Sequence, residues 1–208
     1  MSYRILVVDA LSAGTGIRRS SRDSIGCGPR TVCGILEKHD IECRIFRIED
    51  IIAKKSILRK VDHLAISGMT MDLPAVGVLV KHWSSIKQKG RAILGGPIAS
   101  NPSIAKDLSV DVLIVGEGEG TLEELVMKGF FEDDIDLSEI DGCAFAENHQ
   151  FHVTRRRALL SSKALSVEYN PSTTRIVDYQ AYQASKVYVE VTRGCSNFRR
   201  TTLPTKDN

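Results

Sequence analysis

The sequence predicts a doubly wound α/β fold, in which helices cover both faces of a parallel sheet. Short apolar runs alternate with helical patterns five times within the first 130 residues. The runs are continuously apolar, as expected of strands that are buried on both faces. Several of them also end in glycine or small polar residues, which is typical of the ligand-binding edge of such sheets. The predicted strands are residues 3–8, 42–48, 64–68, 91–96 and 110–115.

The segments between these runs carry helix signals. Pro29 suits the first turn of a helix, and Asp72 is a suitable N-cap for a longer helix that reaches Ile86. Three further helices are predicted at residues 50–58, 101–108 and 121–128, the last of them ended by Gly129.

Beyond Phe131 the pattern changes and predicts a linker rather than a second core. Residues 142–146 and 150–154 predict an antiparallel pair, and residues 155–186 show no steady period. The apolar run at 187–191 predicts the opening strand of a truncated domain, because no further sequence supplies its neighbours. The predicted division is therefore a first domain over residues 1–131, a linker over 132–186 and the start of a second domain over 187–208.

Composition argues against nucleic-acid and membrane partners. The 208 residues include 28 basic and 26 acidic side chains, for a net charge of +2, so no field of one sign is present. The short basic clusters at residues 18–19 and 155–157 are interpreted as solvated faces. No signal peptide or membrane-spanning run is apparent, and the five cysteines lack paired zinc spacing. We therefore expect reduced thiols and a cytoplasmic location.

Four loops at the predicted carboxyl ends of strands form a candidate ligand site. Glycine lets a bulky ligand approach the backbone closely, and exposed amides supply hydrogen-bond donors. One such loop is routine in this fold class, whereas four together favour a large cofactor. The loops are residues 9–14, 67–70, 95–97 and 116–120.

The order of these loops resembles the cobalamin-binding domain, whose pattern is Asp-x-His-x-x-Gly, then Ser-x-Leu, then Gly-Gly. This chain has Asp9-x-Leu11-x-x-Gly14, then Ser67-x-Met69, then Gly95-Gly96, with a longer first gap than the family has. The resemblance covers about residues 1–130. It implies a flavodoxin-like (Rossmann-like) sheet of five parallel strands that binds cobalamin, with the serine and glycine motifs flanking the dimethylbenzimidazole tail. The implied cofactor-binding residues are Asp9, Leu11, Gly14, Ser67, Met69, Thr70, Gly95, Gly96, Pro97, Gly116, Glu117, Gly118 and Glu119.

Leu11 departs from this pattern. It stands where the family has the histidine that ligates cobalt from below, and leucine has no lone pair to donate. Either cobalamin binding has been lost and the fold is a scaffold, or the cofactor binds without that ligand. The retained Ser67 and Gly95-Gly96 positions favour the second interpretation.

The run Gly116-Glu117-Gly118-Glu119 closely resembles the end of the cobalamin domain in radical S-adenosylmethionine enzymes. Ile140-Asp141-Gly142 and Arg193-Gly194-Cys195 follow in the order seen there. That family holds a 4Fe-4S cluster by Cys-x3-Cys-x2-Cys, which leaves one iron for S-adenosylmethionine. Counting from Cys195, the partners would be Arg199 and Thr202, so Cys195 alone is a candidate ligand, and the other cysteines are expected beyond residue 208.

The resemblance implies that the chain is the cobalamin-binding part of a radical S-adenosylmethionine methyltransferase. In that family methylcobalamin donates a methyl group to an unactivated substrate carbon, and S-adenosylmethionine then methylates the cobalt of the cofactor again. The form around Cys195 is similar to archaeal branches, including enzymes that methylate side-chain carbons of methyl-coenzyme M reductase. The fragment itself contains no predicted catalytic residue and is expected to be inactive. The alternative is a non-catalytic scaffold or docking module that has lost cobalamin.

Overall fold

The computed structural model of the chain describes residues 4–19, 23–86, 89–161, 163–164, 168–179 and 182–190. Strands and α-helices follow one another in the order β1 (Ile5–Asp9), β2 (Ser24–Ile25), α1 (Cys27–Lys38), β3 (Cys43–Arg47), α2 (Ile48–Ala53), β4 (His63–Ser67), α3 (Leu73–Ile86), β5 (Ala92–Gly95), α4 (Pro102–Ala105), β6 (Val112–Ile114), α5 (Glu119–Met127), β7 (Cys143–Glu147), β8 (Gln150–Val153) and β9 (Lys186–Val187).

Five parallel strands form the centre of the fold in the order β3-β1-β4-β5-β6. The prediction of a doubly wound, five-stranded parallel sheet is confirmed. The order of strands reverses between β1 and β4, because the chain first adds β3 on one side of β1 and then continues on the other. Ligands in open parallel sheets bind at such a switch point, outside the carboxyl ends of the strands.

The two faces of the sheet carry separate apolar cores. Leu6 and Val8 of β1 pack on one face with the buried side of α3, whereas Ile5 and Val7 pack on the other face with α1 and α5. All five residues of β1 are fully buried, which explains the continuous apolar run in the sequence.

The predicted antiparallel pair is present and extends the sheet. β7 and β8 pair with each other, and β7 also pairs antiparallel with β6, so the sheet has seven strands. Asn148 and His149, between the two strands, have φ values of 49° and 63°, as a two-residue type I′ turn requires. The division of the chain at residues 131 and 186 stays a prediction, although the hairpin joins the first sheet directly.

Two predicted helices are shorter than the sequence pattern suggested. α2 ends at Ala53, because Lys54 leaves the helical conformation with φ −130° and ψ 70°, and a 3₁₀ helix covers Lys55–Lys60. α4 is a single turn that follows a 3₁₀ helix at Pro97–Ser100. Pro97 and Pro102 occupy the first position of the 3₁₀ helix and of α4, where the fixed φ of proline suits the start of a helix.

After the hairpin, the described residues between 155 and 190 return across α5 and α1 to the β3 edge; we call them the return segment. The Asp178 carboxylate accepts the Ile45 amide N–H at 3.0 Å and pairs with Arg44 at 2.7 Å. An ideal Cβ on Gly34 of α1 would lie 2.0 Å from the Asn170 carbonyl oxygen, so only glycine permits this approach. The segment without a steady period is therefore held against the sheet by specific contacts.

The prediction of a buried strand at 187–191 is wrong for the described part of that run: only Val187 lies in a strand, β9, and Tyr188 and Val189 are exposed outside any strand. β9 pairs in parallel with β2 in a separate two-stranded sheet. The buried guanidinium of Arg30 also donates from Nη2 to the Tyr188 carbonyl oxygen at 2.6 Å, and from Nη1 to that of Ser172 at 3.4 Å. Residues 188–190 are thereby held beside the start of α1.

His63, at the start of β4, makes the stability of the fold sensitive to pH. Its Nδ1 accepts the Arg91 amide N–H at 3.2 Å, and its ring packs edge-on against Phe131. Burial, followed by the positive charge of Arg4, lowers the pKa of His63 below its ordinary value of 6.5. The unfolded chain therefore takes up this proton more readily than the folded chain does.

We expect the free energy of unfolding to be fully retained above pH 6.5 and to fall as the pH decreases from 6.5 towards the folded pKa of His63. Urea unfolding of the wild type and of His63→Gln at pH 7.5 and 5.5 checks this. The variant should lose less stability between the two pH values. An equal loss in both proteins would show that other groups cause the decrease.

Candidate cofactor site

A cavity of about 790 Å³ opens at the carboxyl ends of β4, β5 and β6, against the first turns of α1 and α5. Its position is the switch-point edge at which open parallel sheets bind ligands. Most of the residues predicted from the sequence line it: Leu11, Ser67, Met69, Gly95, Gly96, Pro97, Gly116, Glu117, Gly118 and Glu119.

The inner part of the cavity is an apolar slot between the sheet and two helices. The sheet contributes Ala65, Ile93 and Ile114, which all belong to the core on the α1 and α5 face. The helices contribute the side chains of Ile35 and Leu122. A slot of this kind suits a flat, weakly polar ring, because little hydrogen-bonding capacity is buried when the ring enters.

The serine and glycine motifs, which lie far apart in sequence, meet at the mouth of the slot. Ser67 and Gly95 are paired in register on β4 and β5, and the Gly68 amide donates to the Gly95 carbonyl oxygen at 3.2 Å. Gly96 has a φ of 89°, and a Cβ there would lie 2.7 Å from the Gly68 carbonyl oxygen. Both the backbone conformation and the close approach therefore require glycine at residue 96.

The first turn of α1 forms a wall of the cavity that the sequence interpretation did not assign. Gly26, Cys27, Gly28 and Pro29 all line it. A Cβ on Gly28 would come within 3.1 Å of Ser67 Oγ, so the glycine lets the helix approach the end of β4. The available signal was Pro29, which predicted where α1 begins but not that the turn faces a cavity.

Asp9 does not line the cavity but belongs to a buried network beneath it. Its carboxylate pairs with Arg18 at 3.0 Å, accepts the Tyr179 hydroxyl at 2.8 Å and accepts the Leu11 amide N–H at 2.9 Å. Asp9, Arg18 and Tyr179 are each at most 2% exposed, so the interpretation of the basic cluster at 18–19 as a solvated face is wrong for Arg18. Arg18 also pairs through its Nε with Glu49 at 3.0 Å. The burial of Asp9 beneath the cavity, among these partners, favours a structural role for it.

Burial and neighbouring charges in this network shift the pKa values of Arg18, Tyr179 and Glu49. Burial alone would lower the pKa of Arg18, but the charge of Asp9 and its hydrogen bond raise that pKa above the ordinary value. Burial and the charge of Asp9 both raise the pKa of Tyr179. Burial also raises the pKa of Glu49. Arg18 therefore stays charged and Tyr179 stays protonated, so each can hold Asp9 in place.

Gly14 and Thr70 likewise lie near the cavity without lining it. The Gly14 amide N–H donates to Asp72 Oδ1 at 2.8 Å, and the Gly14 carbonyl accepts the Ala75 amide at 3.1 Å. The Thr70 hydroxyl donates to the Pro97 carbonyl oxygen at 3.3 Å. These contacts tie the first loop to the start of α3 and join the two loops that carry the serine and glycine motifs.

Leu11 lines the cavity beside the first turn of α1, at 3.5 Å from an ideal Cβ on Gly26. Its side chain offers no electron pair to a metal. The Asp9 carboxylate, two residues before it, accepts hydrogen bonds from the Leu11 amide, Arg18 and Tyr179. The first loop is thus built without an imidazole.

Cys195 lies outside the described residues, so its assignment as a cluster ligand stays a prediction. Among the residues that the structure describes, no group of three or more histidine, cysteine or acidic side chains could hold a metal ion. In the same part of the chain, no helix is long and apolar enough to span a bilayer.

Solved enzymes share this fold. The chain aligns with TsrM from Kitasatospora setae, a radical S-adenosylmethionine methyltransferase with cobalamin and a 4Fe-4S cluster bound, with a TM-score of 0.58 and 12% identity over 77% of this chain and 30% of TsrM. It aligns with OxsB, a cobalamin-dependent S-adenosylmethionine radical enzyme with aqua-cobalamin and S-adenosylmethionine bound, with a TM-score of 0.63 and 14% identity over 94% of this chain and 27% of OxsB. Identities this low show the fold alone, which is one found in cobalamin-dependent radical enzymes.

Two archaeal proteins are similar in sequence. The uncharacterized protein MJ1620 of Methanocaldococcus jannaschii is 39% identical over 96% of this chain, and the uncharacterized protein MK0932 of Methanopyrus kandleri is 34% identical over all of it. The chain spans 38% and 36% of the length of these two relatives. No protein-family model matches the chain.

Proposed function

We propose that this chain is the cobalamin-binding part of a radical S-adenosylmethionine methyltransferase, which transfers a methyl group from methylcobalamin to an unactivated substrate carbon. The observation that carries the proposal is the cavity, which is lined together by the serine, double-glycine and Gly-Glu-Gly-Glu motifs. The fold shared with two cobalamin-dependent radical enzymes supports it.

The residues of the cavity fit such a cofactor. A volume of about 790 Å³ is near the upper end of the range for small-molecule sites, which suits a bulky ligand better than a lone phosphate or metal ion. The apolar slot suits the benzimidazole ring of the cofactor tail. Glycines at the mouth leave room for a large ring system close to the backbone.

The roles of the chain's own residues are binding and orientation. Ala65, Ile93 and Ile114 would exclude water from the buried ring, while Ser67 and Gly95 would border its entrance. Leu11 would face the cofactor without ligating it. When bound, cobalamin supplies the methyl group that is transferred.

Several parts of the proposal concern the whole protein. Both relatives extend well beyond the length of this chain, which supports a further domain that would hold a 4Fe-4S cluster and S-adenosylmethionine. We also propose that Cys195 is a ligand of this cluster and that the whole protein is cytoplasmic. We further propose that it belongs to the archaeal branch that modifies methyl-coenzyme M reductase, with a protein side chain as its substrate.

Binding of aquacobalamin by the 208-residue chain tests the proposal. We expect one corrin per chain after gel filtration, together with a shifted visible spectrum. A folded chain that emerges free of corrin at saturating concentrations would instead favour a scaffold that has lost the cofactor.

Leu11→His tests the account of the first loop. The new imidazole would enter the cavity beside α1, so we expect the visible spectrum of bound cobalamin to change as a nitrogen reaches the metal. Leu11→Phe is the control, since it adds a ring of similar shape without a donor. Identical spectra for both variants would mean that residue 11 does not face the cobalt.

A further inference from the structure

A run of three arginines crosses the rim of the cavity on the return segment. The outer two are committed to partners outside the cavity. Arg155 Nη2 pairs with Asp141 Oδ2 at 2.7 Å, and Arg157 Nε donates to Thr121 Oγ1 at 3.0 Å. Arg157 also pairs with Glu124. Both neighbours of Arg156 are thus held against α5 and the loop that precedes β7.

Arg156 is the member of this run that lines the cavity. Within the described part of the chain, it forms no hydrogen bond or ion pair, and it is the single positively charged side chain among the cavity-lining residues. The Leu160 amide N–H donates to Glu117 Oε2 at 2.8 Å, which fastens the return segment beside the start of α5. The backbone that carries Arg156 is therefore anchored on both sides of the arginine.

The other charges around the cavity restrict what Arg156 can bind. Glu117, Glu119 and Glu190 line the same cavity, so a small free anion would meet more negative than positive charge there. An anionic group that belongs to a larger ligand is different, because burial of the rest of the ligand in the apolar slot can offset this repulsion.

We propose that Arg156 binds the phosphodiester of the cofactor's nucleotide tail and thereby makes the cavity specific for a complete cobalamin over a corrin that lacks this tail. The inference rests on the proposed function. The phosphodiester is the one anionic group of the cofactor, since the corrin side chains are neutral amides. A guanidinium suits it because its planar fork of N–H donors matches two phosphate oxygens.

The test compares cobalamin with cobinamide, which has the same corrin but no phosphate-linked nucleotide. We expect Arg156→Ala to weaken cobalamin binding about five- to tenfold, as for the loss of one solvent-screened ion pair between the guanidinium and the phosphodiester. Its affinity for cobinamide should equal that of the wild type. Added salt should weaken cobalamin binding by the wild type more than by the variant. Inorganic phosphate alone should not bind.

Arg155→Ala is the matched control, because it removes a neighbouring arginine that faces Asp141 instead of the cavity. It should leave both affinities unchanged. An equal loss for both corrins in Arg156→Ala, or no loss for cobalamin, would overturn the inference while leaving the proposed function intact. Failure of the wild type to bind either corrin would overturn both.

Discussion

Asp9→Ala is expected to lower the free energy of unfolding by about 3 kcal/mol, which is the lower end of the range for breaking a buried ion pair. The variant leaves the Arg18 guanidinium and the Tyr179 hydroxyl buried without their shared acceptor. Arg18 keeps Glu49 as a partner at 3.0 Å, which is why we expect the lower end of the range. Urea unfolding followed by circular dichroism measures the loss.

Asp23→Ala provides a matched control, because Asp23 pairs with Lys186 at 3.3 Å on an exposed surface. It should change stability little, since exposed ion pairs contribute little. Combining Asp9→Leu with Arg18→Met removes both charges and should recover part of the loss. A double variant no more stable than Asp9→Ala would count against an uncompensated charge as the cause.

Gly95→Leu is expected to weaken cobalamin binding at least about a hundredfold, which corresponds to about 2.7 kcal/mol. Gly95 lies at the mouth of the slot, and an ideal Cβ there would meet only Ile114, at an ordinary contact distance of 3.7 Å. The backbone can therefore accept a side chain, but that side chain would occupy the space proposed for the cofactor. Isothermal titration calorimetry with aquacobalamin measures the affinity.

The control for this variant is Gly77→Ala on α3, which lies away from the cavity and whose Cβ would meet Leu108 at 3.6 Å. It should bind cobalamin like the wild type and gain some helix stability. Thermal unfolding should show a cooperative transition for Gly95→Leu, because only a folded variant can attribute a loss of affinity to the filled site. Wild-type affinity in a folded Gly95→Leu protein would place the cofactor elsewhere.

The sheet could be predicted from the sequence because burial on both faces leaves a direct record in the residues. Each central strand is a short, continuously apolar run, and the helices between the strands fix the parallel direction. The resemblance implies that the serine and glycine motifs flank one part of the cofactor, and the structure pairs Ser67 with Gly95 in register. The sheet thus followed from local pattern and connection rules, and the closeness of these motifs from the resemblance.

The buried network around Asp9 and the course of the return segment could not be predicted, because both depend on contacts between residues far apart in sequence. Tyr179 bonds Asp9 across 170 positions, and nothing near either residue indicates that pairing. The pattern Asp-x-x-x-x-Gly predicts that Asp9 serves a cofactor, but it does not indicate the buried ion pair with Arg18 that the structure shows. The return segment has no period because it is held by separate side-chain contacts and not by one buried face.

Hydrogen exchange of the chain with and without cobalamin tests the central claim most directly, because it locates the ligand as well as detecting it. The account predicts slower exchange at the first turn of α1 and at the loops after β4, β5 and β6, with no change in the middle of α3. Binding without protection at these four places, or protection confined to another surface, would contradict a cobalamin site in this cavity.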